Sequence, residues 1–268
     1  MKVLLAAFDW RSRSVFRRNA LVYFRNWKTA FLPPAMEPVI FFVAFGLGLS
    51  GYVGSMNYAG VDIDYATYIA PGLVAYTMFT TPFYESLYSA YVRMFYQKTW
   101  DGILATQVEL RHLVWGEILW SAARAFMNAS VVCVVLACFH AAGAIEIRVS
   151  LLPLLPALGV MAAMAFAAFG LIFTAIVPAI DHMNYPVFLI AVPLSLISNT
   201  YFPVETELAW LQALMNCNPL YHLAETFREL VVLGQVGSSL LWLLGTSVVL
   251  LVVCTLVAHR LTHRRVLG

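Results

Sequence analysis

The stretch LLPLLPALGVMAAMAFAAFGLIFTAIVP, Leu151 to Pro178, contains no charged side chain. At 1.5 Å rise per residue, about 20 apolar residues cross the ~30 Å hydrocarbon layer of a membrane. A chain in lipid must also satisfy its own backbone hydrogen bonds, so this stretch is predicted to be a membrane-spanning helix. Five further stretches qualify on either side of it: 34–54, 66–92, 114–141, 185–203 and 238–259. The stretch at 185–203 is short and carries Pro186 and Pro193. Across the whole chain 62% of residues are hydrophobic and 11% charged, against about 25% charged in soluble domains. The expected fold class is all-α: one polytopic domain over residues 1–268 with six transmembrane helices.

The basic residues set the expected orientation. Lys2, Arg11, Arg13, Arg17, Arg18, Arg25 and Lys28 precede the first span. Arg93, Lys98 and Arg111 lie between the second and third, and Arg260, Arg264 and Arg265 follow the last. Only Arg148 and Arg228 fall on the opposite side, among Asp62, Asp64, Glu146, Glu205, Glu207, Glu225 and Glu229. Both termini are therefore expected in the cytoplasm. The net charge of +2 forms no single basic patch, which gives no reason to expect nucleic acid as a partner. The apolar patch of MKVLLAAFDWRSRS ends at Asp9 and is too short for a signal-peptide core, so this segment is read as retained.

Two amphipathic regions flank the spans. From Val3 to Trp27, Arg11, Arg18 and Arg25 recur every seventh residue, while Phe8, Val15, Phe16, Val22, Tyr23 and Trp27 gather opposite. This predicts a helix over residues 1–30 lying in the headgroup layer, or a simple basic anchor. Between the fifth and sixth spans, residues 204–232 show helical spacing broken at Asn218-Pro219. Two short re-entrant helices are expected there.

Chemistry is sparse. A nucleotide site needs GxxxxGK[ST], and residues other than glycine, Trp27 and Gln97, precede Lys28-Thr29 and Lys98-Thr99. The four cysteines form no CxxC pair, the six histidines are dispersed, and no GxSxG elbow is present. Asp62-x-Asp64 is read as a solvated loop pair rather than a metal site, so no catalytic residue and no metal are expected. Ionisable residues within spans are costly and point to function. Glu37, Glu85, Glu117 and Arg124 are these residues, with a structural pairing and a proton relay both open. The second span carries an aromatic load in which Tyr76, Phe79, Phe83, Tyr84 and Tyr88 are candidates to line a substrate pathway, or simply to pack.

The polar stretch QKTWDGILATQVELRHLVWGE, Gln97 to Glu117, interrupts this apolar chain. Trp100, Ile103, Leu104 and Val108 give one apolar helical face, with Lys98, Asp101 and Glu109 opposite. YIAPGLVAYTMF (Tyr68–Phe79), FYESLYSAYVRMFYQKTWDGILAT (Phe83–Thr106), VWGEILWSAARA (Val114–Ala125) and NPLYHLAETFREL (Asn218–Leu230) together resemble type 2 ABC exporter permeases over nearly the whole chain. The subgroup most resembled is that exporting nodulation lipo-chitooligosaccharides, with polysaccharide and daunorubicin-type drug exporters more distant.

The resemblance implies a permease in the bacterial inner membrane, acting as a homodimer with two ABC ATPase subunits that carry ATP and Mg. It also implies that residues 97–112 contain a coupling helix seated in an ATPase cleft, with Lys98, Trp100, Asp101, Ile103, Leu104 and Val108 as its contacts. Residues 34–92 then hold spans one and two, 114–203 spans three to five, 238–259 the last span, and 260–268 a cytoplasmic tail. The implied cargo is an amphipathic glycolipid or lipo-oligosaccharide. A drug exporter of the same family, or a proton-coupled carrier using Glu37, Glu85 and Glu117, are the rival readings. Two positions depart from the family pattern: Gln107 stands where relatives usually have proline, and ETELAWLQ (205–212) lacks the proline usual before its tryptophan.

Overall fold

The computed structural model describes residues 2–27, 36–204 and 206–266. The start of the first expected span, Lys28 and Glu205 lie outside the described residues. Two short helical turns, Lys2–Leu5 and Ala6–Phe8, lead to α1 (Trp10–Arg25). Asp9 caps α1 by accepting the Arg11 N–H at 2.9 Å. α2 (Met36–Val53) includes a π-helical segment, Phe42–Leu47. A β-hairpin follows, β1 (Ser55–Tyr58) antiparallel to β2 (Val61–Asp64), with Ser55 opposite Asp64 and Tyr58 opposite Val61.

α3 (Tyr65–Tyr84) continues through the π-helical segments Glu85–Ser89 and Val92–Tyr96. α4 (Thr99–Leu104) is a short helix in the link between α3 and α5, and α5 (Leu110–Ala141) and α6 (Leu154–Ile176) are long. After short helical turns between 180 and 196 come α7 (Ala209–Cys217), α8 (Pro219–Arg228) and α9 (Ser239–Val266).

By length and composition α2, α5, α6 and α9 can cross a membrane. The second expected span, α3 and its continuation, falls outside this group because of its tyrosines and threonines, with Ser86 and Ser89 in the continuation. Polarity is tolerated there because α3 is enclosed: nearly every residue from Tyr65 to Phe83 is buried among α5, α6 and α8. Thr77 and Thr80 donate to the carbonyls of Leu73 and Tyr76, at 2.8 and 2.9 Å, so their hydroxyls are satisfied within the helix. The fifth expected span is shorter in its helical part than the sequence suggests. Its helical turns end at Leu196 rather than at 203, and 184–196 reaches only about 20 Å at 1.5 Å per residue. Pro186 and Pro193 keep this segment from forming one regular helix.

The fold is mostly helical, as expected, and the hairpin is a small addition to it that the sequence reading did not include. Val61 and Ile63 alternate with Asp62 and Asp64, and Ala59-Gly60 turns the chain with φ of 51° and 84°. Positive φ at both turn positions matches the strand twist of a tight hairpin. The last helix runs on to Val266, so the described part of the expected tail is helical.

α1 differs from its expected orientation. Ser12, Val15, Asn19 and Tyr23 form its buried face and pack on α5, while Phe8, Val22 and Trp27 are exposed. The approach is close enough that a β-carbon at Gly116 would stand 2.4 Å from Val15 Cβ. Trp115 Nε1 donates to the Val3 carbonyl at 2.7 Å, and His112 Nε2 lies 3.2 Å from Asp9 Oδ2. Polar Ser12 and Asn19 suit a protein-facing stripe better than a lipid-facing one, a cue that apolar spacing alone hides.

At the other end, α7 and α8 meet at Asn218-Pro219, as the sequence predicts. Asn218 Oδ1 accepts the Leu220 N–H at 3.0 Å and proline occupies the first helical position. Arg228, expected on the outer side within the re-entrant helices, is fully buried. Its guanidinium lies 3.8 Å from the Tyr68 ring centroid and donates to the carbonyls of Tyr68 (3.2 Å) and Asn199 (2.7 Å) and to Glu225 (2.7 Å). Glu225 also accepts from the Tyr58 hydroxyl (2.9 Å) and Asn199 Nδ2 (3.1 Å), which ties the hairpin to α3 and α8. Tyr58→Phe removes one donor to a carboxylate, worth about 1.5–3 kcal/mol. A lowered melting midpoint in detergent, with the secondary structure intact, is expected.

Candidate functional site: a buried ionic cluster behind the short helix α4

Beyond Tyr96 the chain reverses at Lys98, a non-glycine residue with φ of 51°. A left-handed backbone at such a residue costs roughly 1–2 kcal/mol and persists only where its surroundings impose it. Its effect is to turn α4 so that Trp100 points into the bundle. Trp100 is wholly buried, and its Nε1 donates to Glu117 Oε1 at 3.2 Å. Ile103, Leu104 and Val108 are half-buried against the same core. The apolar face expected to enter an ATPase cleft therefore faces the membrane domain. Asp101, Gly102, Ala105, Thr106 and Gln107 form the exposed surface, together with Lys98.

The helix expected over 97–112 is also shorter. It stops at Leu104, where Thr106 Oγ1 donates to the Ile103 carbonyl at 2.7 Å. Val108 lies beyond it. Glu109 and His112 then form a reciprocal cap that starts α5.

Behind Trp100 lies a cluster joining four chain segments. Arg93 forks onto Glu117 through Nε at 3.1 Å and Nη2 at 2.5 Å, and its Nη1 reaches Glu85 at 2.9 Å. Arg124 pairs with the other oxygen of Glu85, and Trp120 Nε1 donates to Glu85 at 2.9 Å. The Glu85 and Glu117 side chains are 2% and 1% exposed. Carboxylates so desolvated are tolerable only when paired and hydrogen-bonded. α1 closes the cluster: Tyr23 stands edge-on to Trp120 at 5.3 Å, with the Arg124 guanidinium 5.2 Å from its ring centroid.

Of the four polar positions marked in the sequence, the structure thus joins Glu85, Glu117 and Arg124 and leaves Glu37 apart, accepting from the Tyr76 hydroxyl at 3.3 Å. Arg93, Trp100 and Trp120 complete the cluster. Arg93 was legible only as a loop-side basic residue. On a regular helix Glu85 and Arg93 would sit about 80° apart, and the π-helical segments between them alter that register.

The aromatic candidates divide. Phe79 and Phe83 are fully buried, with Phe79 4.8 Å from Phe166 and Phe83 5.8 Å from Phe169, so both pack the α3–α6 interface. Tyr84 and Tyr88 are half-exposed and line a cavity of about 370 Å³ with Glu37, Thr81 and Arg124. Tyr76 borders this face next to Tyr201, ring centroids 5.7 Å apart. A wall of phenol hydroxyls, threonines, the Glu37 and Glu85 carboxylates and the Arg124 guanidinium, backed by aromatic rings, accepts hydroxyl-rich groups by hydrogen bonding and stacking.

Residues 12–232 match the ABC-2 type transporter family. The chain belongs to that family. It is 28% identical over 254 residues to Nodulation protein J of Rhizobium leguminosarum bv. viciae, covering 95% of this chain and 94% of that one. Nodulation protein J of Rhizobium meliloti (strain 1021) is 29% identical over 228 residues, 85% of this chain and 84% of the relative. Inner membrane transport permease YadH of Escherichia coli (strain K12) is 20% identical over 252 residues, 94% of each. The expected resemblance to ABC exporter permeases, and to the nodulation subgroup, is borne out. As an ABC-2 permease the chain is a membrane transport subunit, and the family works in association with an ABC ATPase.

Proposed function

We propose that the chain is the membrane subunit of an ATP-driven exporter carrying an amphipathic glycolipid or lipo-oligosaccharide outward. Two copies pair with two ATPase subunits in a bacterial inner membrane, both termini in the cytoplasm. ATP and Mg belong to the ATPase. Six crossings are completed by α3 with its continuation and by the short, proline-broken segment 184–196. α7 and α8 dip back from the outer side. The observation that carries this reading is the continuous buried link from Trp100 through Glu117 and Arg93 to Glu85. It joins the cytoplasmic helix to the two long helices beside the tyrosine-lined cavity. Movement of α4 by an ATPase would be passed through these bonds to α3 and α5.

In this account α4 meets the ATPase with its small and polar side, Lys98, Asp101, Gly102, Ala105 and Thr106, while Trp100, Ile103 and Leu104 fasten it to the bundle. Tyr76, Tyr84 and Tyr88 line the pathway, and Phe79 and Phe83 support it from behind. The proton-coupled alternative finds less support: Glu85 and Glu117 both have guanidinium and indole donors, so their charges already have partners. The likeness to Nodulation protein J supports a lipo-oligosaccharide over a drug as cargo.

The test is glycolipid profiling of cells carrying the triple change of Tyr76, Tyr84 and Tyr88 to leucine. Leucine keeps apolar bulk and removes the hydroxyls. Export should drop by about tenfold or more, because lost hydrogen bonds of about 1 kcal/mol each accumulate, while the permease still assembles with its ATPase. Unchanged export would remove the tyrosine face from the pathway.

A further inference from the structure

A second cavity, of about 300 Å³, opens between α1 and the end of the α3 continuation, bordered by Arg18, Asn19, Tyr88, Ser89, Arg93 and Gln97. Tyr88 and Ser89 also border the tyrosine-lined cavity, so the two adjoin. The cationic groups here are unequally matched. Arg93 is held by two carboxylates. Arg18 bonds only neutral acceptors, Asn19 Oδ1 at 3.0 Å and Thr99 Oγ1 at 3.4 Å, and no carboxylate lies within ion-pair distance among the described residues. Arg93 and Arg124 both pair with the buried carboxylates Glu85 and Glu117, and Glu37 lies across the adjoining cavity, so of the three guanidiniums here Arg18 is the one without a carboxylate in contact. Asn19 is 4% exposed, and its Nδ2 is a buried donor without a hydrogen-bond partner. A half-buried guanidinium lacking a counter-charge, beside an unsatisfied amide donor, is costly unless an acceptor fills the space.

We infer that this cavity is an oxyanion subsite, built to hold a phosphate or sulfate ester against Arg18 and the Asn19 amide at the cytoplasmic edge of the bundle. Burial, then the neighbouring Arg93 charge, pull the Arg18 pKa down, with Glu117 opposing, so a bound anion would relieve the strain on that charge. The planar fork of Arg18 suits two oxygens of one ester group, and Tyr88, Ser89 and Gln97 offer further donors. The rest of an attached molecule would extend along Tyr88 toward Tyr84. Two sources share this chemistry: the headgroup of an anionic phospholipid of the inner leaflet, and an acidic ester on the transported amphipath. The subsite stands on its own residues, and only the second source rests on the pathway reading above.

The test is native mass spectrometry of the full chain in neutral detergent. It is titrated with phosphatidylglycerol against diacylglycerol, and with octyl glucoside 6-sulfate against octyl glucoside. Wild type should prefer at least one anionic probe over its neutral counterpart by about tenfold or more, as expected for hydrogen bonds to a charged group. Arg18→Gln should abolish that preference. Asn19→Asp, which supplies Arg18 with an internal partner and changes little in volume, should do the same. Arg13→Gln, at an exposed arginine of the same helix, should leave it intact. Preference for the lipid alone assigns the subsite to the membrane, and preference for the sulfated glycoside assigns it to cargo. Equal retention of each probe and its neutral partner by wild type overturns the inference, as does preference that survives in Asn19→Asp. Because no transport is measured, failure here leaves the export test of the tyrosine face to stand or fall separately.

Discussion

Replacing Arg93 with methionine should destabilise the bundle by about 3–5 kcal/mol, the range seen when one partner of a buried ion pair is removed. Methionine fills similar space but leaves Glu117 with only the Trp100 indole as a donor and takes from Glu85 one of its two guanidiniums. Both carboxylates are desolvated, so neither charge can recover its loss from water. Yield and melting midpoint in detergent should both fall sharply. Adding Glu117→Gln to the same chain removes the stranded charge, while Glu85 keeps Arg124 and Trp120. The double variant should therefore regain most of the midpoint. A single change with little effect on stability would mean that water reaches the cluster.

Trp100→Phe should separate coupling from folding. It keeps an aromatic ring in the buried site, deletes the Nε1 donor to Glu117 and leaves a small cavity where the second ring stood. A hydrogen bond to a charged group is worth about 1.5–3 kcal/mol, enough to loosen the attachment of α4 without unfolding the bundle. With the ATPase present, the variant should still co-purify with it and hydrolyse ATP. Cargo exported per ATP hydrolysed should drop by about tenfold. Loss of ATPase binding instead, with the bundle intact, would return Trp100 to the docking face.

Much of this arrangement is legible in the sequence. Long apolar runs announce α5, α6 and α9, because membrane length and backbone satisfaction leave no other solution. Asn218-Pro219 fixes the α7–α8 break by capping chemistry that is local. What hides is whatever depends on which neighbour a face meets. Trp100, Ile103 and Leu104 show an apolar stripe at helical spacing, yet spacing cannot tell whether the stripe is covered by the same chain or by a partner. The left-handed turn at Lys98 decides that, and lysine gives no hint of it. Likewise Phe79 and Tyr76 are three residues apart on one helix, and only the position of α6 sends the first into the core and leaves the second beside Glu37. Glu85, Glu117 and Arg124 stood out because charge is rare in a span. Their union through Arg93 depends on π-helical register, which composition does not encode.

In the proposed coupling α4 faces two ways, with Trp100 held by Glu117 inside and a small, polar surface outside for the ATPase. Photocrosslinking in cells tests this directly, with a photoreactive side chain placed in turn at Ala105 and at Tyr58 of the β1–β2 hairpin, proposed to lie on the opposite side of the membrane. Capture of the ATPase subunit from Ala105 and not from Tyr58 is the predicted result. Absence of any adduct at Ala105 in a permease that still exports, or equal capture from Tyr58, would contradict it.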